Sequence, residues 1–332
     1  MSISYLLLGQ KNLLMTKIVK KVGIDISKAS FDVAYIENEK MKTKKYSYTA
    51  ADIKQFIASL DSDSQCVMEA TGIYHLRLAH ALYDAGIGLC VVNPLSVKRF
   101  IQSKLHRTKT DKSDAIMLVE YGRIMEPDLW KPDSEHYTQA QQLLNIQAQL
   151  VKNQTSINNQ MEAIYLSVNQ TKTGLNLLKK QLKFVENQLK QIEAELEQLI
   201  ENDEDVTNIQ TIPGIGRKTA IALMVYTKGM QSFDNHRKVS SYFGISPRIV
   251  QSGSSVKGRR SICKMGMGHM RMLLYMCARS AKKYNKSCRE LYKRLLAKGK
   301  AKKLALIAVA NKLVKQVFAI VKNKSVYVEN FG

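Results

Sequence analysis

Four acids stand out because of what surrounds them. Asp25 lies near the end of the apolar run VGIDIS, and Glu69 ends a similar run in CVMEATG. Asp111 and Asp114 are spaced i, i+3 in RTKTDKSDA, one of the most cationic parts of the chain. They fall where DKSDAIMLVEYGR takes on helical periodicity, and such a pair projects from one helix face. Carboxylates gathered at one sheet edge repel one another unless cations intervene, and hard oxygen ligands suit Mg2+ or Mn2+. Two such ions can serve the attacking and leaving oxygens of a phosphodiester, with Arg107, Lys109 and Lys112 holding the nucleic acid alongside. The same spacing equally suits two acids that complement a helix N-terminus with no catalytic duty, and a strand-end Asp25 equally suits a turn former. Spacing alone does not separate these readings.

The surrounding charge narrows the partner. The chain carries 51 Lys and Arg against 28 Asp and Glu, a net +23 spread along its whole length. Neutralised phosphates release counterions and charge attraction speeds encounter, so nucleic acid is the leading partner, ahead of an anionic membrane surface or simple solubility. A hydrophobic content of 45% over 332 residues excludes a disordered basic tail and supplies cores for two domains or one elaborated domain. The five cysteines are scattered without a C-x-x-C pair, so a structural zinc is not expected and a reducing, cytosolic setting is. The opening MSISYLLLGQKNLLM lacks a basic n-region and is too short to span a bilayer. Residues 1–16 are expected to be a disordered leader, with Met15 a candidate natural start.

The elements that must position these residues follow from hydrophobic period. KIVKKVGIDIS, SFDVAYIE and KTKKYSYT read as a three-strand meander. ADIKQFIASL reads as a helix, QCVMEA as a strand, HLRLAHALYDAG as a helix closed by Gly86, and IGLCVVN as a strand. That order predicts an α/β layout with a mixed sheet over 17–136. Over 137–205 the composition turns to Gln, Lys, Glu and Leu. Leu175, Leu178, Leu182, Val185, Leu189, Ile192, Leu196 and Leu199 form a heptad seam, and Ile146, Leu150, Ile157 and Ile164 form a more polar one. The break NQTKTG allows an antiparallel hairpin, or each segment pairs across a dimer; an ordinary amphipathic helix packed on its own domain is the plainer alternative. From 206 to 332 the pattern is mostly helical and strongly basic, with sixteen Lys or Arg and one acid, Glu290, between Lys257 and Lys303. That ratio is more lopsided than a solvated helix face requires.

VGIDISKASFDV, MEATGIYH and NPLSVKRFIQSKLHRTKTDKSDA resemble the three blocks of the RuvC-like, RNase H-fold domain of the insertion-sequence-110 transposases, also called DEDD transposases. IQTIPGIGRKTAIALM and YFGISPRIVQSGSSVKGRRSICKMGMGHMRMLLYMCA resemble that family's second domain, so the likeness runs from Ile18 to about Ala310. The resemblance implies that Asp25, Glu69, Asp111 and Asp114 are the metal-binding tetrad for Mg2+ or Mn2+. It implies an α/β plus α fold: an RNase H-like (RuvC-like) mixed-sheet domain, a coiled-coil connector and a mostly helical C-terminal transposase domain. It also implies a prokaryotic cytoplasmic enzyme acting on donor and target DNA, guided by a structured bridge RNA from the element. Base pairing would then carry sequence choice, as in other RNA-guided systems.

A second chemistry lies in QSGSSVKGRR. A serine hydroxyl beside cations and a polarised phosphate can attack phosphorus, although such a run is more often a flexible loop or phosphate nest. The resemblance implies that Ser252 is the nucleophile, with Ser254 and Ser255 the neighbouring candidates. It further implies a composite site, in which one subunit's carboxylates meet another's serine, in at least a dimer and a tetramer on DNA. IPGIGRKTA brings a glycine turn into a helix, where Gly214, Gly216, Arg217 and Lys218 suit phosphate contact as in helix-hairpin-helix modules; a simple inter-helix turn is the alternative. Lys257, Arg259, Arg260, Lys264 and Arg271 are the remaining nucleic-acid candidates. No glycine run has the Walker spacing, and none of the six histidines forms a convincing metal pair. Two other readings remain: a RuvC-like endonuclease using water, and a non-catalytic nucleic-acid binder.

Overall fold

A computed structural model describes residues 20–105, 110–248, 251–252, 256–257 and 261–329. The chain divides into two units, Met1–Pro132 and Asp133–Gly332.

The first unit is built on strands β1 (Lys20–Ile26), β2 (Ser30–Glu37) and β3 (Lys40–Ser47), helix α1 (Ala50–Ala58), strand β4 (Ser64–Glu69), helix α2 (Tyr74–Asp84) and strand β5 (Gly88–Val92). Two helices follow, α3 (Pro94–Ser103) and α4 (Asp111–Met125). The five strands lie in the order β3-β2-β1-β4-β5. β1, β2 and β3 run antiparallel as a meander, whereas β4 and β5 join parallel to β1. A period-2 strand buried on both faces explains the apolar density of VGIDI. Val22, Ile24 and Ile26 pack on one face with Phe31, Val33 and Met68 against Phe56 of α1 and Leu78 and Leu82 of α2. The other face meets α3 and α4, through Val67, Cys90, Val97, Leu118 and Tyr121, and through Ala34, Ala115 and Val119. The α/β expectation is met in this unit. α3 was not among the expected elements, although Pro94 at its first turn and Asn93, whose side chain accepts from the Leu95 amide at 2.8 Å, are a helix-start signature.

The second unit begins with two long helices, α5 (Glu135–Tyr165) and α6 (Lys172–Leu199), joined by residues 166–171 and packed back on each other. The α6 seam lies buried or half-buried along its length. On α5 the expected seam is corrected at one position: Ile157 is buried and Leu150 and Ile164 are half-buried, but Ile146 is 51% exposed, while Ala140 and Leu144 are buried. A polar helix offers few apolar landmarks, and Leu144 two positions earlier takes the inward register instead. Ala140, Leu144, Ile192 and Leu196 join the same core as the helices that follow, α7 (Glu204–Gln210), α8 (Arg217–Thr227) and α9 (His236–Tyr242). After short strands β6 (Pro247–Arg248), β7 (Gln251–Ser252), β8 (Val256–Lys257) and β9 (Ser261–Ile262) come α10 (Gly268–Tyr284), α11 (Lys286–Ala297) and α12 (Lys302–Asn323). α8 is buried on every side from Thr219 to Thr227 and forms the centre of the unit. α12 is long and apolar enough to cross a membrane, yet Val309, Leu313, Val314 and Val317 are spent in this core.

Candidate active site

The face of the sheet turned toward α4 carries the acids. Gly23, Asp25, Asp32 and Ala34 share that face because their neighbours Ile24, Phe31 and Val33 are in the opposite core. Asp25 pairs across the strands with Asp32, and Asp32 with Lys45. On the other side Ile24 pairs with Met68, which puts Glu69 next in line beside Asp25. The order of four strands thus sets Lys45, Asp32, Asp25 and Glu69 in a row.

Helix α4 brings the remaining two acids. A Cβ built on Gly23 would fall 2.1 Å from the Ala115 carbonyl oxygen and 2.7 Å from the Val119 amide, so only glycine lets α4 lie directly on β1. The start of α4 is fixed by its own cap: the Thr110 hydroxyl accepts from the Ser113 amide at 3.1 Å, and the Ser113 hydroxyl accepts from the Thr110 amide at 2.8 Å. This reciprocal box supplies the side-chain cap, while Asp111 and Asp114, both in the first turn, also complement the helix dipole. Burial pushes the Asp25 carboxyl up to about 6, reinforced by the negative charges of Asp114, Asp111, Glu69 and Asp32. The other three expected acids therefore each bear on Asp25, together with Asp32, which the sequence reading missed. Its signal was an acid between Phe31 and Val33 in an otherwise apolar strand.

A hard divalent cation fits this donor set. Among the described residues no three or more of His, Cys, Asp and Glu stand close enough together to hold a metal ion as they are placed here, so the fit is one of donor chemistry. Carboxylates that raise one another's cost of ionisation, as Asp114, Asp111 and Glu69 do for Asp25, are by type the oxygen donors whose charge a hard cation would neutralise. Lys112 is exposed beside them, while Arg107 and Lys109 lie outside the described residues.

The serine block belongs to the second unit. β6 pairs antiparallel with β9, and β7 with β8, nested in sequence as a ribbon with Ser252 opposite Val256. Only the backbone of Ser252 and Lys257 is described; Ser254, Ser255, Arg259 and Arg260 lie outside the described residues. The ribbon's base is tightly made: a Cβ on Gly266 would meet the Tyr242 carbonyl oxygen at 2.2 Å. Arg271 donates to the carbonyls of Gly266 at 3.0 Å and Phe243 at 3.2 Å. Its guanidinium is thus engaged in holding this base, whereas Lys264 is exposed. In the PGIG turn, Gly214 packs on Ala281, whose amide a Cβ would approach to 2.7 Å, while Gly216 opens α8 with no such neighbour. Arg217 pairs with Glu197, and Lys218 with Glu193 at 2.6 Å, both on α6.

Residues 22–170 match a transposase family model of the IS110 DEDD type, and residues 206–293 match the model described as transposase IS116/IS110/IS902 family. The pilin gene-inverting protein of Moraxella bovis is 30% identical, the match covering 91% of this chain and 95% of that protein. The chain belongs to the IS110 family of transposases. A pilin gene-inverting protein of Moraxella lacunata is likewise 30% identical over the same shares. The transposase for insertion sequence element IS1111A of Coxiella burnetii is 24% identical, covering 94% of this chain and 92% of its own. As an IS110-family member the chain is an insertion-sequence transposase, a site-specific DNA recombinase, and the two family matches fall one on the acid-bearing fold and one on the serine-bearing region. DEDD membership also favours divalent metal use.

Proposed function

We propose that this transposase breaks and rejoins DNA through attack of Ser252 on a phosphodiester, with Asp25, Glu69, Asp111 and Asp114 holding Mg2+ or Mn2+ and a bridge RNA choosing the sites. The convergence of these acids on Asp25, inside a chain of net charge +23, carries the reading. A phosphate-attracting protein has little other use for repelling carboxylates gathered at one spot. The strand order, with an antiparallel meander joined to two parallel strands, supports an RNase H-like, RuvC-like assignment for this unit.

When bound, the cations supply charge neutralisation and activation of the phosphodiester. Asp25 must be ionised to take part, and its raised proton affinity leaves it half ionised near pH 6 in the cation-free protein. The Ser252 hydroxyl oxygen forms the new bond to phosphorus as the sugar oxygen departs; the serine proton passes to solvent and the departing oxygen takes one back. One phosphodiester replaces another, so the DNA end waits on the protein without nucleotide hydrolysis until a second sugar hydroxyl displaces the serine.

Two partners complete the proposal. Leu177 and Phe184 of α6 are each 62% exposed, and the hairpin of a second copy would cover them, giving a dimer that can assemble further on DNA. Phe184→Glu is expected to lower the light-scattering mass to that of one chain, and a wild-type protein that is monomeric with and without RNA overturns this part. For the RNA, purified protein, Mg2+ and a donor-target plasmid pair should yield recombinants only when the element's flanking RNA is added. Changing its target-pairing loop should redirect insertion to a correspondingly changed site; undiminished recombination without RNA overturns the guidance.

A further inference from the structure

The buried acid that the proposed tetrad leaves out is the most informative residue of the first unit. Asp32 is 3% exposed and sits between Asp25 and Lys45 in cross-strand register. The Lys45 ammonium lies 3.4 Å from the Asp32 carboxylate and 3.9 Å from that of Asp111. Lys45 therefore spans a buried acid on the central meander and an exposed one on α4.

We infer that Asp32 and Lys45 are a built-in counter-charge pair of the acid site: Lys45 keeps Asp32 out of the cation-binding set and holds Asp111 toward that set when no cation is present. This rests on the reading of the tetrad as a divalent-cation site. Four carboxylates balance two divalent cations; a fifth would leave an excess negative charge beside Asp25. A buried charge is costly unless paired, and Lys45 supplies that pairing from the edge strand β3 while its stem remains half in solvent. Its second contact, to Asp111, offsets repulsion among the acids that α4 brings to the sheet. Lys45 and Asp32 are thus positioning residues, acting through Asp25 and Asp111.

The pair predicts opposite effects from its two halves, which a merely structural contact would not give. Mn2+ binding to the full-length protein, followed by the paramagnetic signal of the free ion, should tighten about fivefold in Lys45→Met, because one acid is left uncompensated. Asp32→Asn, which keeps shape and removes the acid, should weaken it about fivefold, because the ammonium then acts on Asp111 alone. Lys45→Arg should stay within twofold of wild type, about the scatter of such titrations, and the double variant Lys45→Met with Asp32→Asn should return to it. Without cation, Lys45→Met should melt lower, and adding Asp32→Asn should restore the wild-type melting temperature. Shifts of the same sign in the two single variants, or a double variant no nearer to wild type than Lys45→Met, overturn the inference. A wild type that binds no Mn2+ overturns the cation reading instead, and the cation-free melting series then decides the pair by itself.

Discussion

Asp25→Asn is expected to abolish recombination while raising the melting temperature of the cation-free protein at pH 7.5. The physical reason is that folding places Asp25 where burial and four neighbouring acids disfavour its charge, lifting its proton affinity from 3.8 to about 6. A carboxyl raised in the folded state leaves stability intact below its unfolded value and costs stability as pH climbs toward the folded value. The cost is therefore complete above about pH 6. Discounted for the partial exposure of the site, it amounts to about 1–2 kcal/mol, or a few degrees in melting temperature. Asparagine removes that cost, so the variant should gain at pH 7.5 and match wild type near pH 4. Added Mg2+ should reverse the order, since only wild type gains by mass action. A variant that melts lower than wild type at pH 7.5 without cation would show that Asp25 is a structural acid.

Ser252→Ala should produce the other large effect: recombination lower by about a thousandfold or more, as for loss of a nucleophile, with cation binding untouched. The separation is expected because Ser252 belongs to the second unit, outside the sheet and helix that gather the acids. Ser254→Ala and Ser255→Ala should retain activity within about tenfold. If one of them instead reproduces the full loss and Ser252→Ala does not, the nucleophile is that sequence neighbour.

Much of the first unit was legible because strand and helix periods are local properties. The meander, the alternation that follows it and the acids at the ends of β1 and β4 could all be read from runs such as VGIDIS and QCVMEA. Asp32 and Lys45 were not, because cross-strand register joins residues distant in sequence, and neither FDV nor TKK shows that the two side chains meet. Charge identity also conceals partnership. Arg217 and Lys218, read as phosphate ligands in GIGRKTA, also pair with Glu197 and Glu193, and Arg271, one cation of a basic run, also fastens the base of the ribbon. Gly214 illustrates the same limit: its glycine serves close packing on Ala281, a contact across distant sequence. The polar helix α5 was read correctly at Ile157 but misread at Ile146, because a few isoleucines among glutamines define a face poorly, and Leu144 is the buried residue there.

The most direct measurement uses end-labelled donor DNA, Mg2+ and the element's RNA with purified protein, resolved on a denaturing gel before and after protease. Wild type should give a labelled band that runs as protein-linked DNA and collapses on proteolysis. Ser252→Ala and Asp25→Ala should each lack it, and a mixture of the two variants should regain it if subunits share a site. Nicked, protein-free DNA that persists in Ser252→Ala but vanishes in Asp25→Ala would contradict a serine nucleophile and leave the acids as a water-using nuclease.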